Sequence, residues 1–517
     1  MSERRDDRTD AILAYHDATK HSPISVRSRA YFLDWDNKPH PFKVYTGLDD
    51  TPLPADVPPL DVPALEAIGV TTVGDPVPGP DLASLARLLV VGAGVHHTQT
   101  FPGSEDIHFR NYASAGALYP VEVYVACGDL PGLAAGVYHF DPAGRALTRL
   151  REGDYRGHLV RAAASELAVA RAPAVLVLTC IPWRTAWKYT ERGYRHLFWD
   201  AGMILANVLA LAVSARLPAR VVMGFADADV SRLLGLDERR EFPLCLVPVG
   251  AEGGEVAPAS GSPEEVSFEF PQLSRTEYVF EGILKANDAG RLQAADEVGR
   301  WRVGFGGSRR RKRSSAAPGA LGADLSNDAL EAVIRRRGSA RVFSRGSIPV
   351  RVLTAILERA TVGVPTDYAP GGARLVEPYL IANAVEGLAA GAYVFGDGGL
   401  RLLRAGDLRR EAGFLCLEQR LGADAAATHF LMADLSLTLG ALGPRGYRAA
   451  QLEAGIVAGR IYLGAYANRH GATGLTFYDD EATRFFLPDA EAKSCMLVVA
   501  VGESPRPRRR APTELGG

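Results

Sequence analysis

A lysine–tyrosine pair is the feature of this sequence best suited to proton transfer. Lys188 and Tyr189 adjoin one another in a chain where lysine supplies only seven of the 58 basic residues. Unlike arginine, lysine can release its proton when it is desolvated. An adjacent tyrosine can also accept a proton if a nearby cation makes its phenol more acidic. The alternative is an ordinary surface pair on the approach to a helix.

A second group of residues is suited to binding phosphate. Arg337, Ser339 and Arg341 stand two apart in IRRRGSARVF, so an extended segment presents all three on one side. Guanidinium groups and a hydroxyl donate paired, charge-assisted hydrogen bonds to phosphate oxygens. The alternative is a solvated, charged turn.

A loop of small residues could admit the edge of a flat ligand. Ser114, Ala115 and Gly116 precede a proline and a β-rich run in RNYASAGALYPVEVYV. Loops of this kind let backbone N–H groups approach a ligand closely. An ordinary turn would have the same composition.

The chain contains one pattern twice. PGLAAGVYHF recurs as EGLAAGAYVF at an offset of 255, and Ala201-Gly202 recurs as Ala454-Gly455 at an offset of 253. The Gly-Tyr-Arg run at 193–195 recurs at 446–448, and Val249-Gly250 recurs as Val501-Gly502. Because the shared segments keep one order and nearly one offset, we interpret them as a tandem repeat.

The candidate functional residues are divided between the two copies. The lysine–tyrosine pair and the small-residue loop lie in the first copy, where the second copy has Ala441 and Leu442 in place of the pair. The arginine–serine segment lies in the second copy, and the matching stretch of the first, VTTVGDPVPGPDLASL, contains no arginine.

Each copy alternates helices and strands in the same order. A helix (82–90; 352–361) precedes a loop, a β-rich run (121–127; 377–383) and a second strand (174–181; 428–437). A long apolar helix and a final strand complete the copy. This alternation predicts an α+β fold of two α/β sandwich domains. Because a helix that is apolar on most sides needs burial on most sides, we expect the copies to pack as an internal pseudo-dimer.

The predicted organisation has five parts. They are an N-terminal extension (1–79), a first domain (80–251), a linker (252–325), a second domain (326–505) and a C-terminal tail (506–517). The extension is rich in aromatic residues and could cover the active site or recognise substrate. The linker carries a basic run at 309–313, which we interpret as solvated.

Composition excludes several classes of protein. The formal net charge is -2, which argues against nucleic-acid binding. The N-terminus lacks the apolar segment of a secretory signal, and the stretch 201–215 is shorter than the ~20 residues of a membrane span. Five scattered cysteines indicate reduced thiols and a cytoplasmic protein. Three histidines, His96, His97 and His108, lack the spacing of a closed metal site, so we expect no metal.

Taken together, four segments resemble a known family. SAGALYPVEVYV, GLAAGVYHFD, KYTERGYRHLFWDAG and GFADADVSRLLGL are similar to the SagB-type dehydrogenases of the nitroreductase-like FMN superfamily. This group includes azoline oxidases, which convert thiazolines and oxazolines to aromatic azoles in ribosomally made peptides. The resemblance covers both copies. It implies tandem nitroreductase-like domains with FMN at their interface.

The resemblance also implies which residues bind FMN. One domain would hold the phosphate, and its partner would present the small-residue loop to the isoalloxazine. The implied cofactor-binding residues are Ser114, Ala115, Gly116, Arg337, Ser339, Arg341, Leu475, Thr476, Arg506 and Arg508. Because the mirror-image site lacks the basic segments, we expect one FMN per chain.

In the family, a lysine–tyrosine dipeptide near the flavin is required for azoline oxidation, and Lys188-Tyr189 matches it. The implied mechanism has a base remove a ring Cα proton while hydride passes to FMN, which oxygen reoxidises. Tyr189 is the expected base, with Lys188 lowering its pKa, and the reverse assignment stays open.

The leading functional prediction is an FMN-dependent dehydrogenase that oxidises an azoline or related C–N or C–C bond in a peptide-derived substrate. An NAD(P)H-dependent nitro- or quinone reductase and a non-enzymatic flavin-sequestering protein are the alternatives. Other enzymes of a modification complex are expected as partners. The protein would be a monomer or a homodimer.

Overall fold

The computed structural model describes residues 7–28, 31–100, 106–250, 257, 263–304, 325–369, 372 and 374–505. The α-helices are α1 (Asp7–Ala18), α2 (Pro23–Ser28), α3 (Ala64–Ile68), α4 (Leu82–Ala86), α5 (Arg156–Ala162), α6 (Leu167–Arg171), α7 (Pro182–Tyr189), α8 (Gly193–Ser214), α9 (Asp227–Leu234), α10 (Glu281–Ala289), α11 (Ala295–Gly304), α12 (Leu330–Arg336), α13 (Val350–Ala360), α14 (Arg409–Leu415), α15 (Arg420–Asp424), α16 (Leu435–Leu442), α17 (Arg445–Ala467) and α18 (Asp479–Phe485). The strands are β1 (Asp50–Pro52), β2 (Val95–Gln99), β3 (Ile107–Arg110), β4 (Val121–Cys127), β5 (Gly136–Asp141), β6 (Ala146–Glu152), β7 (Ala174–Cys180), β8 (Phe242–Val249), β9 (Ile348–Pro349), β10 (Val376–Ala382), β11 (Val385–Glu386), β12 (Gly391–Gly396), β13 (Gly399–Ala405), β14 (Ala427–Asp434), β15 (Gly471–Leu475) and β16 (Lys493–Gly502).

Two antiparallel six-stranded sheets confirm the predicted fold. Their strand orders are β1-β6-β5-β4-β7-β8 and β13-β12-β10-β14-β16-β15. Five strands of each sheet therefore follow one shared order, and only the sixth differs. In the first sheet β1 joins the edge beside β6, whereas in the second β15 joins the opposite edge beside β16.

Helices cover both faces of each sheet. Every residue of β4, β7 and β8 is buried, and these strands are rich in valine and leucine. Strands buried along their whole length show that both faces of this sheet are covered.

The long central helices α8 and α17 cross at a pair of glycines. A Cβ atom on Gly202 would lie 2.5 Å from the carbonyl carbon of Gly455, so only glycine permits this approach of the two backbones. These glycines occupy equivalent positions in the repeat. The crossing therefore lies on an approximate twofold axis, as the predicted pseudo-dimer requires.

The helical stretch Pro182–Ser214 is long and apolar enough to span a membrane, but 89% of its most apolar window is buried inside the protein. The stretch 201–215 is thus a core helix, as predicted. All five cysteines are buried and free.

Buried ion pairs connect the two copies reciprocally. Asp479 of the second copy accepts hydrogen bonds from Arg192 at 2.9 Å and Arg195 at 2.6 Å. The equivalent Asp227 of the first copy accepts from Arg445 at 2.6 Å and from Arg448 at 2.9 Å. Their repetition about the axis shows that the copies share one interface.

Segments outside the two sheets also pack against this interface. The Tyr15 hydroxyl in α1 donates to the Glu191 carbonyl at 2.7 Å, and Arg195 donates to the His16 carbonyl at 2.6 Å. Within the predicted linker, α10 and α11 are ordered, and Trp301 donates to the Leu442 carbonyl at 2.7 Å. The basic run 309–313 lies outside the described residues.

Candidate active site between the two copies

Helix α7 presents the lysine–tyrosine pair. It begins with Pro182, which is suited to the first helical turn because its missing N–H needs no partner there. Trp183, Ala186 and Trp187 are spaced to form one buried face. All six residues from Pro182 to Trp187 are buried, and the helix reaches the surface only at its end, where Lys188 is exposed and Tyr189 is half-buried.

The N-terminal extension covers part of α7. Tyr31 donates to the Trp187 carbonyl at 2.7 Å, and the Trp187 indole donates to the Asp34 carbonyl at 2.9 Å. The rings of Trp35 and Trp187 meet edge to face at 5.2 Å. The extension thus supports the helix that carries the pair.

The small-residue loop lies against the lysine–tyrosine pair. Gly116 has φ +67°, and a Cβ atom there would lie 3.1 Å from the Tyr189 hydroxyl and 3.4 Å from Cδ of Lys188. A side chain at 116 would therefore crowd both residues, and its absence leaves the backbone accessible.

A buried acid holds this loop in place. Asp200 of α8 accepts a hydrogen bond from the Ser114 hydroxyl and another from the Ala115 N–H at 3.2 Å. The Ser114 Oγ in turn accepts from the Tyr119 N–H at 2.9 Å. Burial raises the pKa of Asp200 to about 7, although both hydrogen bonds to the carboxyl act in the opposite direction.

Sequence reasoning missed Asp200, although the repeat contained a signal. At the offset of 253 its partner is Glu453, whose carboxylate accepts from the Leu375 N–H at 2.5 Å and the Val376 N–H at 3.0 Å. An acid at the same place in both central helices indicates a shared role. In both copies it anchors the loop that leads into a central strand.

The arginine–serine segment of the second copy reaches the first copy. Helix α12 ends at Arg336, and Arg337 continues in extended backbone. The Arg337 guanidinium donates to the Arg110 carbonyl at 2.9 Å, four residues before Ser114. The arginine–serine segment and the small-residue loop are therefore neighbours across the interface.

The remaining donors of this segment are available to a ligand. Nε of Arg337 is buried without a hydrogen-bond partner among the described residues. Ser339 is half-buried, and Arg341 is exposed. The Ser504 hydroxyl donates to the Val342 carbonyl at 3.2 Å, so the chain after β16 leaves beside this segment. Arg506 and Arg508, which were predicted to join it, lie outside the described residues.

Leu475 and Thr476 precede Phe477, whose ring faces Trp199 of the first copy, and neither contacts the lysine–tyrosine pair in any hydrogen bond or ring contact among the described residues. Leu475 is buried at the end of β15, and the Thr476 hydroxyl accepts from the Gln419 amide at 2.9 Å. The ring centroid of Phe477 lies 6.4 Å from that of Trp199 on α8.

A row of rings continues from Trp199 to the lysine–tyrosine pair. His196 stacks on Trp199 at 4.5 Å, and Tyr189 packs on His196 at 4.1 Å. Burial among cationic neighbours lowers the pKa of His196 well below its usual value, so this imidazole is neutral.

The structure contradicts the expected direction of the Tyr189 pKa. Burial, with a contribution from Asp200, raises the pKa of Tyr189 well above its ordinary value. Partial desolvation of the amine lowers the pKa of Lys188, and the positive charges of Arg341 and Lys38 lower it further. Burial disfavours the charged form of either group. It therefore moves the pKa of Tyr189 away from neutral pH and the pKa of Lys188 towards neutral pH.

Comparison with known proteins agrees with this architecture. The model of the nitroreductase family matches residues 74–251. A Methanocaldococcus jannaschii protein that carries the name of a nitroreductase is 31% identical over 169 residues, which are 33% of this chain and 80% of that protein. The chain belongs to the nitroreductase family.

The nitroreductase architecture extends over both copies. The chain is similar to a crystal structure of a nitroreductase-like protein from Anabaena variabilis, with a TM-score of 0.74 and 25% sequence identity. The alignment includes 96% of this chain and 99% of that one. The microcin B17-processing protein of Escherichia coli is 30% identical over 142 residues, which are 26% of this chain. The chain spans 52% of that protein.

Nitroreductases form a family of flavin oxidoreductases, and the interface site fits a flavin nucleotide. An unpartnered buried guanidinium nitrogen and a hydroxyl suit a phosphate. The glycine cradle beside Lys188 admits the edge of a planar ring. The two features come from different copies, as the resemblance implied.

Proposed function

We propose that this nitroreductase is an FMN-dependent dehydrogenase of the SagB type. It oxidises an azoline, or a related C–N or C–C bond, in a peptide-derived substrate. The observation that carries the proposal is the placement of Lys188, an amine with a lowered pKa, beside the Gly116 cradle. A site that only stored a flavin would have no use for a base there.

Arg337, Ser339 and Arg341 would hold the FMN phosphate, and Ser114–Gly116 would face the isoalloxazine. Arg506 and Arg508 are proposed to complete the phosphate site. When bound, FMN supplies the two-electron acceptor for the oxidation.

Lys188 is the proposed base in this site. Its neutral amine accepts the proton from the substrate carbon next to the ring nitrogen. The positive charge of Arg341 favours that neutral form, which ties the base to the segment from the other copy. Tyr189 keeps its proton and packs beside the lysine, whose Nζ lies 5.5 Å from the ring centroid.

A peptide-derived substrate is supported by the similarity to the microcin B17-processing protein. Other enzymes of a modification complex are proposed as partners on the same ground. We also propose a cytoplasmic location, because the five cysteines are free.

A reductase that takes electrons from NAD(P)H is the second candidate, favoured by the name of the Methanocaldococcus jannaschii relative. Rapid bleaching of the bound flavin by NADPH alone, with no azoline present, would support it.

Replacing Lys188 tests the proposal. Lys188→Ala should keep its yellow flavin and lose about 10²- to 10⁴-fold in turnover of a thiazoline-containing peptide, because a positioned base contributes that much. Lys285→Ala, at an exposed position of α10, is the matched control and should retain full turnover.

The pH profile of the unmodified enzyme supplies a second readout. Only the neutral amine acts as a base, so turnover should rise with pH through the lowered pKa of Lys188. This limb should be absent from the residual activity of Lys188→Ala. Unchanged turnover in that variant would remove Lys188 from the mechanism.

A further inference from the structure

A cavity of about 560 Å³ lies between the two copies, away from the candidate active site. Helix α8 contributes Leu209 and Val213 to its wall, and α17 contributes Arg460. The segment 70–73 and helix α6 close other sides.

The approximate twofold axis relates the position of this cavity to the position of the candidate flavin site. Leu209 and Val213 are equivalent to Tyr462 and Tyr466 at the offset of 253. A Cβ atom on Gly338, next to Arg337, would lie 3.4 Å from the Tyr466 hydroxyl, and both tyrosines act on the pKa of Arg337. The cavity wall therefore corresponds to the wall behind the phosphate-binding segment.

Strand residues show the same correspondence. Ala219 and Gly250 line the cavity, and their equivalents are Gly471 and Gly502 at an offset of 252. Added Cβ atoms on those two glycines would lie 3.2 Å from Cβ of Ala340 and 3.1 Å from Cδ1 of Phe343. The cavity therefore corresponds, in the first copy, to the space beside the arginine–serine segment of the second copy. Residues 70–73 occupy the position that the arginine–serine segment has there.

The cavity keeps a cationic character without that segment. Three of its described lining residues are arginines, Arg171, Arg220 and Arg460, and none of the described lining residues is acidic. Arg220 is paired with Glu166 at 3.2 Å. The other described lining residues are apolar or small and neutral, so the site offers positive charge against apolar walls.

Arg460 brings a charge to a place where the first copy has none. Its equivalent, Asn207, donates to the carbonyls of Gly92 at 3.0 Å and Asn111 at 2.9 Å. Arg460 is 97% buried and donates to the Val362 carbonyl at 2.8 Å, so one arm of its guanidinium is anchored while the group lines the cavity. The Ala360 carbonyl at 3.5 Å and the negative charge of Glu453 partly compensate this buried guanidinium, and an anion bound on the cavity side would add to them.

We propose that this cavity is a second ligand site, for a small organic anion with an apolar body such as an aryl-substituted carboxylate. The guanidinium of Arg460 binds the anionic group, and Leu209 and Val213 contact the apolar part. The site is distinct from the flavin site.

Titration calorimetry of the flavin-loaded full chain tests this site, with 4-phenylbutyrate as the probe and neutral 4-phenylbutyramide as its control. The carboxylate should bind saturably, and the amide should bind at least tenfold more weakly. Arg460→Met should weaken carboxylate binding at least tenfold, and Ala168→Trp should abolish it by filling the cavity from α6. Arg300→Met, at an exposed position of α11, should bind as the parent does.

The Ala168→Trp variant retains Arg460, so the test does not depend on one substitution being tolerated. All variants should keep the flavin content of the parent, because the cavity lies outside the flavin site. The proposal is overturned if the parent gives no saturable binding, if the amide binds as well as the carboxylate, or if both cavity variants bind as the parent does. A second flavin that Arg460→Met removes would also overturn it.

Discussion

At the scale of single residues, a buried carboxyl group sets the position of the small-residue loop. Asp200 binds both Ser114 and Ala115, and the loop includes positive φ angles at Gly116, Ala117 and Tyr119. Backbone in this region is strained and persists only where its surroundings hold it. Asp200 therefore holds in place the loop that lies against Lys188.

Asp200→Asn should change how stability depends on pH. The folded-state pKa of about 7 lies above the ordinary aspartate value of about 3.9, so the folded protein holds a proton that the unfolded chain releases. The protonated Asp200 carboxyl therefore contributes fully to stability below about pH 4. This contribution is lost as pH rises to about 7, and the free energy of unfolding falls by at most ~4 kcal/mol.

Urea unfolding of the parent and Asp200→Asn at pH 4.5 and pH 7.5 measures this effect. The stability of the parent relative to the variant should be greater at pH 4.5. If the difference in stability between the parent and Asp200→Asn is the same at both pH values, Asp200 is not held protonated in the folded state.

The sequence identified single residues where residue type was itself the signal. Lys188 was conspicuous because lysine is rare, and Arg337 because alternation placed it with Ser339 and Arg341. The pKa direction of Tyr189 was predicted wrongly, since burial rather than the adjacent cation determines it. A tertiary environment of that kind is not visible in a dipeptide.

At the scale of elements, two reciprocal clusters fasten the ends of the central helices. In each cluster, two arginines at the start of one long helix form ion pairs with an aspartate of the other copy, and this aspartate begins a short helix. The arginines hold the pKa of both Asp227 and Asp479 below its usual range.

Removing either aspartate should destabilise the whole molecule. Asp479→Ala leaves Arg192 and Arg195 buried without their carboxylate, which typically costs ~3–5 kcal/mol. Asp227→Ala should cost a similar amount because its cluster is equivalent. Urea unfolding would measure both losses.

Asp296→Ala is the control for these variants, because it breaks an exposed pair with Arg300 that is worth only about 0–1 kcal/mol. If Asp479→Ala proves no less stable than Asp296→Ala, the clusters do not hold the copies together.

Element boundaries were less predictable than element order. The strand predicted at 428–437 ends at Asp434, whose side chain accepts from the Leu437 N–H at 2.8 Å. An aspartate in this position caps a helix N-terminus, and Leu435 accordingly begins α16. The apolar run that followed concealed this cap.

At the scale of the whole molecule, the proposed active site depends on the approach of the two copies. The crossing of Gly202 and Gly455 sets that approach, and the site takes Lys188 from one copy and Arg337 from the other. Displacement of one central helix from the other would separate the parts of the flavin site.

Gly202→Ala should therefore reduce both stability and flavin content. The added methyl group would overlap backbone atoms of α17, and overpacking of this kind costs ~1–3 kcal/mol. Gly440→Ala is the control, since a Cβ there meets nothing within 4 Å and alanine favours the helix. Absorbance of the purified variants gives the flavin content, and an undiminished content in Gly202→Ala would contradict the account.

The repeat made the molecular plan predictable, including the shared succession of helices and strands along the chain and the pseudo-dimer. The sixth strand of the first sheet was not predictable, because β1 comes from the N-terminal extension and pairs with a strand about 95 residues later. The packing of α10 and α11 was likewise hidden by the polar, Gly- and Pro-rich sequence around them.

The ratio of bound FMN to polypeptide tests the central claim most directly. Flavin released by heat from the purified full chain, divided by the protein concentration, should give a ratio near one. The double variant Arg337→Met/Arg341→Met should bring it close to zero. A ratio near two, or an unchanged ratio in the double variant, would contradict a single flavin site assembled from complementary halves.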